Sequence, residues 1–396
     1  MNVVQTWLME LASGIGKFFL NPLVYWTLFL SMVVGYKRIK KERQHFGLKI
    51  FDIFSEWKNT WPLSIIFGVV ISMITIGAGL VVSKDTIILL AVVTILLSLS
   101  MRLTLLSPVY TIGITFLLLL LAPVVLENQS FITMDLLNGA NFTGLSLLFA
   151  LLIVAEAFLL KRHNRNGTFP DMELGRRGTW IGIHHIKKMT LIPFFVLIPS
   201  GPLTSIASFW PYISVGDDSY SLVLVPFLMG FDHTVRSELP EKAVNRLAYP
   251  LRILGLAVLL LSAGSMFIGW LALAAIVTGI IGREFINFKH RRFDQSKAPF
   301  FTQNARGIQV LAVVPGTPAD RLGILVGETI TKVNGKKIDR VEQFYYALQD
   351  SGAFFKLQIR GDNGEVRFVQ SALYEEDHHE LGIITAVGHL RESQLA

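Results

Sequence analysis

The sequence predicts a polytopic α-helical membrane bundle of eight or nine spans, followed by a small soluble α+β domain. Three observations carry this expectation. Of 396 residues, 52% are hydrophobic and 16% charged, where an ordinary soluble domain has about 25% charged. Mean hydropathy is positive, at +0.51. Apolar runs near the roughly 20 residues that cross a bilayer core recur as far as Phe288, after which the composition turns polar and strand-forming. The chain has no cysteine, which excludes disulfide, thiolate-metal and cysteine-nucleophile chemistry. Its formal charge of +7 is what cationic cytoplasmic loops produce in a membrane protein, so nucleic acid is not an expected partner.

The N-terminus has no basic n-region and no matching cleavage site, so the first span reads as retained rather than as a signal peptide. Apolar segments fall at Phe18 to Tyr36, Pro62 to Val82, Thr86 to Met101, Leu103 to Leu126, Phe142 to Leu160 and Met189 to Trp210. Three weaker ones follow at Leu222 to Phe231, Pro250 to Ile268 and Leu271 to Phe288. Together they make residues 1–292 a transmembrane domain. Loop 37–61 carries Lys37, Arg38, Lys40, Lys41, Arg43 and Lys49, and loop 161–188 carries Lys161, Arg162, Arg165, Arg176, Arg177, Lys187 and Lys188. These loops, and Lys289 to Arg292 after the last span, are expected in the cytoplasm. Glu127 to Asn141 and Pro211 to Ser219 hold no Lys or Arg and are expected outside. Nine spans put the N-terminus outside and eight put it inside.

In the first cytoplasmic loop, Leu48, Phe51, Phe54, Trp57 and Trp61 recur at three- and four-residue steps opposite Lys49, Asp52, Glu56 and Asn59. This predicts an interfacial helix on the inner-leaflet headgroups, with a partner-docking face as the alternative. Trp180 to Lys188 reads as a shorter version of the same element. Glu156 and Arg283 fall near cytoplasmic ends, where long side chains snorkel, Arg102 at a turn, and Asp232 and His233 at an interface. Ser265 with Gly269, and Ala275 with Gly279, are spaced for close helix approach, within the bundle or in self-association.

Residues 293–304, with Pro299 and several polar side chains, read as a linker, and 305–392 is long enough for one small domain. Gly307 to Val314 is a β-rich run stopped by Pro315-Gly316. Thr317 opens a short helix with Pro318 at its first position and Gly323 closing it. Asn334-Gly335 predicts a tight hairpin turn after the strand residues Ile330 and Val333. Val341, Phe344, Tyr345 and Leu348 share one face of a helix from about Arg340 to Asp350. FKLQIR and EVRFVQ then alternate as two strands joined by Gly361 to Gly364. In that order, and in the wording VVPGTPADRLGILVGETITKVNGKKI, the stretch from about Gly307 to Gln370 resembles the PDZ fold of bacterial proteins. Glu328 stands where bacterial members usually carry Asp. The resemblance implies a small, partly open barrel that binds peptides.

One part of that fold is missing from its usual place. The small-Gly-apolar carboxylate-binding turn is not evident in APFFTQNARG, before the first strand, whereas Leu381-Gly382-Ile383 has its character at the other end. A circular permutation is therefore expected. In it the C-terminal strand forms a peptide groove with the helix bearing Val341, Phe344, Tyr345 and Leu348. An extended peptide would add to that strand's edge, with amides around Gly382 accepting an anion. The alternative is a strand that only completes the core.

Membrane spans joined to a PDZ domain also describe several bacterial proteases, but no HExxH, GxSxG or GxxxxGK[ST] occurs. Ser262 and Ser265 have no His or Lys nearby in sequence, and His184-His185 and His378-His379 are adjacent rather than four apart. No catalytic residue, metal or cofactor is assigned. The whole-chain layout is similar to that of the multi-pass, PDZ-containing cell-division topology proteins of Bacillus-type bacteria. That resemblance implies a non-enzymatic membrane adaptor at division septa and poles, with its PDZ domain in the cytoplasm. It would link the polar coiled-coil scaffold DivIVA to MinD, and so to the inhibitor MinC, restricting division to midcell. Contacts with other divisome proteins and an effect on swarming are implied too. The alternatives are a regulatory membrane protein assisting or performing proteolysis, with Ser262, Ser265, Asp232 or His233 in a hidden site, and a transporter with a polar midplane site at Glu156 or Arg102.

Overall fold

A long β-hairpin occupies the centre of the N-terminal half. The computed structural model describes residues 3–126, 140–162, 164–204, 210–213, 219–302, 307–352, 354–372 and 381–386; most of the two Lys- and Arg-free segments, and His378-His379, lie outside them. Strands β1 (Phe169–Leu174), β2 (Trp180–Thr204) and β3 (Ser219–Val235) form one antiparallel sheet in that order. The segments expected as spans at Met189 to Trp210 and Leu222 to Phe231 are largely β2 and β3. Composition misleads here because a strand buried on both faces is as apolar as a membrane helix. What argues against helix is Pro193, Pro199, Pro202 and Pro226 inside the runs. Pro193 lies opposite Pro226 in the ladder, and both nitrogens point away from it. Phe195, two residues beyond Pro193, sends its N–H outward to Ser72 Oγ at 2.8 Å, and Leu222, four before Pro226, sends its own to Glu10 at 3.1 Å. At these positions proline removes no ladder hydrogen bond.

Helices α1 (Val3–Leu20), α2 (Pro22–Phe46), α3 (Trp61–Gly77), α4 (Lys84–Leu99), α5 (Pro108–Leu126), α6 (Phe142–Lys161), α7 (Pro240–Gly264) and α8 (Leu271–Ser296) surround the hairpin. Some of their starts follow capping chemistry. Asn21 accepts from the Leu23 N–H ahead of Pro22, and Asn141 accepts from the Gly144 N–H at 2.8 Å. Helix α3 lies against β2 so closely that a Cβ on Gly68 would stand 2.2 Å from the Pro193 carbonyl oxygen. One apolar core joins α6, α7 and α8 to Ile192, Phe194, Val225 and Phe227 of the hairpin. Ala275 is buried in that core, and Gly279 leaves room for the Phe149 ring.

Among the described residues, α6, α7 and α8 are long and apolar enough to cross a membrane, and α1 with α2, bent by 45°, counts as a fourth; α3 and most of α5 are apolar but shorter. Eight or nine helical spans are therefore not formed among the described residues. Exposed Ile253, Leu256 and Leu260 on α7, and Val277, Ile281 and Phe285 on α8, give these helices the apolar outer faces of membrane-embedded elements.

Two other expectations are corrected by buried charge. Residues 48–60 form turns, not an interfacial helix: Phe51 and Trp57 are buried, Leu48 half-buried, and only Phe54 and Trp61 are exposed, Trp61 as the first residue of α3. Buried Arg38 organises the segment. Its guanidinium bonds Glu42 at 2.5 Å, Glu56 at 2.9 Å and the Asp52 carbonyl, while Glu42 accepts the Ile50 and Phe51 N–H groups. A buried cation needs that many partners, and the loop winds around it. Trp180 to Lys188 is part of β2, not a second such helix. Nor do Glu156 and Arg283 snorkel: both are buried, paired at 2.6 Å, with the Ser107 hydroxyl on the second Glu156 oxygen at 2.6 Å.

The C-terminal domain is a sheet in the order β8-β7-β5-β4-β9, with β6 paired to β5. Its strands are β4 (Ile308–Val313), β5 (Thr329–Val333), β6 (Lys336–Lys337), β7 (Phe354–Arg360), β8 (Val366–Ala372) and β9 (Ile383–Thr385), with helices α9 (Pro318–Arg321) and α10 (Val341–Gln349). Asn334 and Gly335 have φ of 48° and 82°, as a tight hairpin turn requires. Thr317 precedes α9, but its hydroxyl donates to the Val314 carbonyl instead of capping.

This domain is held against the bundle. Helix α8 runs on to Ser296, so the expected linker begins as helix. Phe300 donates its N–H to the Arg236 carbonyl, and Gly182 donates to the Phe301 carbonyl. Asn166 donates to the Ile324 carbonyl at 2.8 Å and accepts the Val326 N–H at 2.9 Å. Arg165 and Lys242 both reach Asp362, at 3.1 and 3.4 Å. A separate apolar core fills the seam, with Phe46, Phe51, Phe169 and Phe301 on one side and Leu311, Val326 and Ile384 on the other.

Candidate peptide groove

Strand β9 lies at the edge of the sheet, beyond β4, with Ile383 opposite Val313 and Thr385 opposite Val310. The turn before it is unusual. Leu381 and Gly382 have φ of 55° and 76°, and their carbonyls accept the N–H groups of Ala319 at 3.0 Å and Val314 at 2.8 Å. A left-handed leucine is strained and persists only where its surroundings over-determine it; this one is fully buried. A Cβ on Gly382 would lie 2.2 Å from Thr317 Oγ1. A bulky residue there therefore disturbs the packing as well as any bound peptide, and it makes a poor probe of binding.

The structure brings the groove residues together, with unequal access. Val341, Phe344, Leu348, Leu381 and Ile383 belong to one buried core, with half-buried Tyr345 at its margin. Of these, Val341 borders open space. A cavity of about 280 Å³ lies between the starts of α10 and β4 and the end of β9, where Thr302, Thr385 and Ala386 meet Val341. The strand-beside-helix arrangement is thus present, and its accessible part is the end away from Gly382.

Behind the seam lies a chain of charges that sequence reasoning missed. Asp171 on β1 is 2.6 Å from His45 Nδ1 of α2 and 3.4 Å from His185 Nε2 of β2, and His185 Nδ1 is 3.1 Å from Asp232 of β3. Burial works against the His185 charge, but hydrogen bonds to Asp171 and Asp232 prevail and push it up to about 9. Burial likewise opposes the Asp171 carboxylate, and its bonds to His185 and His45 hold it well below the usual range. Neighbouring His184, fully buried and beside charged His185, is pushed down to about 3 and stays neutral. Strand alternation explains the contrast, since adjacent side chains point to opposite faces. Once His184-His185 is assigned to a strand, that alternation is the signal that finds it.

Ser262 and Ser265 donate to the carbonyls of Ser146 and Ser262 at 2.9 and 2.7 Å. Among the described residues, no group of three or more His, Asp or Glu is placed to hold a metal.

The PDZ domain family matches residues 309–360, covering β4 to β7. Over 385 residues the chain is 35% identical to the "Cell division topological determinant MinJ" of Bacillus subtilis (strain 168), which covers 96% of this chain and 95% of that one. The chain belongs to the MinJ family. MinJ relatives from Lacticaseibacillus paracasei and Lacticaseibacillus casei (strain BD-II), each named "Probable cell division topological determinant MinJ", are 22% identical over 92% of this chain and 96% of theirs. The similarity spans both halves, so the MinJ character is not that of the PDZ domain alone. MinJ proteins are named as topological determinants and not as enzymes, which supports a role in cell division, with the PDZ domain as an interaction module.

Proposed function

We propose that the protein is a non-enzymatic membrane adaptor of cell division, which gathers DivIVA on one side and MinD, and through it MinC, on the other, at septa and poles. The observation that supports this reading best is a PDZ groove fixed to a bundle of apolar helices in a member of the MinJ family. Fixing a weak peptide contact at a membrane surface raises its effective concentration without any new contact. In this reading the PDZ domain is cytoplasmic. Leu381, Gly382 and Ile383 shape the groove strand, and Val341, Phe344, Tyr345 and Leu348 form the facing helix. Other divisome proteins are further partners, and swarming is a downstream trait.

The test is the localisation of a fluorescent fusion in a dividing Bacillus-type rod, with and without DivIVA. Septal and polar signal that spreads evenly over the membrane when the scaffold is deleted is the expected result. Even signal in both strains overturns the reading.

A further inference from the structure

The β1–β2 hairpin ends in a tip, residues 175–179, to which the adaptor reading gives no task. Leu174 and Trp180 are its last paired residues, so both side chains stand on one face, 58% and 41% exposed. Arg176 and Arg177 crown the turn, both exposed and without an ion pair among the described residues. Beside them Lys41 and His45 stand four residues apart on α2, on the face turned to the hairpin: Lys41 is 3.7 Å from Asp171, and the His45 ring is 6.4 Å from Trp180. The nearby acids are already engaged, Asp171 by the two histidines and Glu173 by Arg236 at 2.8 and 3.0 Å. The tip is therefore a cationic surface around an open aromatic side chain.

Lipid headgroups and an acidic protein segment share the chemistry to meet it, and α2 separates them. Its exposed apolar side chains, Tyr25, Leu28, Phe29, Met32 and Tyr36, end where Lys37 begins. His45 is eight residues beyond Lys37, about 12 Å along the helix, and the tip lies beyond it. The headgroup layer is only about 5–8 Å deep on each side. The tip thus stands clear of the lipid, in reach of a soluble segment. It also adjoins the groove: Gly182 bridges Phe301 in antiparallel register, and the next residue, Thr302, lines the cavity at the groove's open end.

We propose that the hairpin tip docks an acidic segment of a protein partner, Arg176 and Arg177 pairing with its carboxylates and an apolar side chain resting on Trp180, next to the portion held in the groove. The continuity with the groove rests on the peptide-binding reading above; the docking at the tip does not.

Because the chain has no cysteine, Thr179→Cys gives a single labelling site on the full-length protein in nanodiscs of zwitterionic lipid. Two synthetic peptides serve as probes, with the same apolar C-terminal half, preceded in one by Glu residues around a Leu and in the other by Lys residues around a Leu. The acidic peptide is expected to bind about tenfold tighter or better, with affinity falling as salt rises. Arg176→Glu with Arg177→Glu should erase that preference, and Trp180→Ala should weaken binding about tenfold, all with an unchanged Tm since these side chains are exposed. Acid preference lost in the tip variants supports the proposal, and unchanged affinity of Val341→Gln for both peptides would then overturn the groove reading alone. Binding lost in Val341→Gln but untouched by the tip variants keeps the groove reading and overturns the proposal. Equal or absent binding of the two peptides overturns it as well. So does quenching of the label in parallel nanodiscs that contain headgroup-spin-labelled phosphatidylglycerol, which would make the membrane the occupant.

Discussion

The β2–β3 hairpin and the PDZ sheet are both antiparallel, yet they finish their outer backbone groups differently. In the hairpin, side chains of the surrounding helices take them up: Ser72 accepts the Phe195 N–H, Thr75 donates to the Phe195 carbonyl at 2.6 Å, and Glu10 accepts the Leu222 N–H. In the PDZ sheet, β8 and β9 have no further strand beside them among the described residues. Where helices and lipid exclude water, each backbone group has to be satisfied from within the protein. Where water or a partner peptide completes the edge, it stays open and is available for strand addition. With the bundle in a membrane and the PDZ domain in water, as proposed, the difference in edges follows from the difference in solvent.

The comparison breaks first where the closed half carries charge. Arg283→Met leaves the Glu156 carboxylate buried without its cation and is expected to cost about 3–5 kcal/mol, seen as a large fall in Tm in detergent. Glu156→Leu with Arg283→Met should recover most of it, and a single variant no worse than a surface change would mean the site is wet. Next in size, Ser72→Ala orphans the Phe195 N–H and should cost about 1–3 kcal/mol in the same assay. A neutral result would show that water reaches the hairpin edge.

At the seam between the halves, pH gives the third test. His185 titrates at about 9 in the folded protein against an ordinary 6.5, so its contribution is complete below pH 6.5 and disappears as pH rises through 9. Tm should therefore fall across that window, and His185→Gln should flatten the slope. The smallest effect is expected on the open half. Phe368 of β8 is 61% exposed, and Phe368→Ser should move stability by no more than about 0.5 kcal/mol. A larger loss in urea unfolding would reveal that this face is covered.

The PDZ half was legible because its signals are local. Asn334-Gly335 demanded a hairpin, Pro318 and Gly323 bounded a short helix, and the spacing of Val341, Phe344 and Leu348 marked the buried face of α10. The membrane half was legible only as apolar. Hydropathy does not distinguish α6 from β2, since both are buried by neighbours and not by their own sequence pattern, and the prolines at 193, 199, 202 and 226 were the clue against helix. The aromatic spacing from Leu48 to Trp61 imitated a helix because Arg38 organises that loop from another element, a long-range effect no local pattern records. In the groove, spacing identified the helix, and the likeness of Leu381-Gly382-Ile383 to the PDZ carboxylate-binding turn pointed to the strand. Neither showed that Phe344 and Leu348 are closed in while Val341 borders the cavity.

The clasp of Asn166 on the backbone at Ile324 and Val326, with Arg165 and Lys242 on Asp362, fixes the height and heading of the groove. A module on a loose tether sweeps a hemisphere and accepts a ligand from any direction within reach. Here the binding face behaves like a bracket bolted to a wall. In the proposed function, a partner diffusing in two dimensions on the same membrane must present its segment at one elevation and one bearing. Two partners with identical tail sequences, differing only in how far those tails stand from the lipid, would then be told apart by their stature.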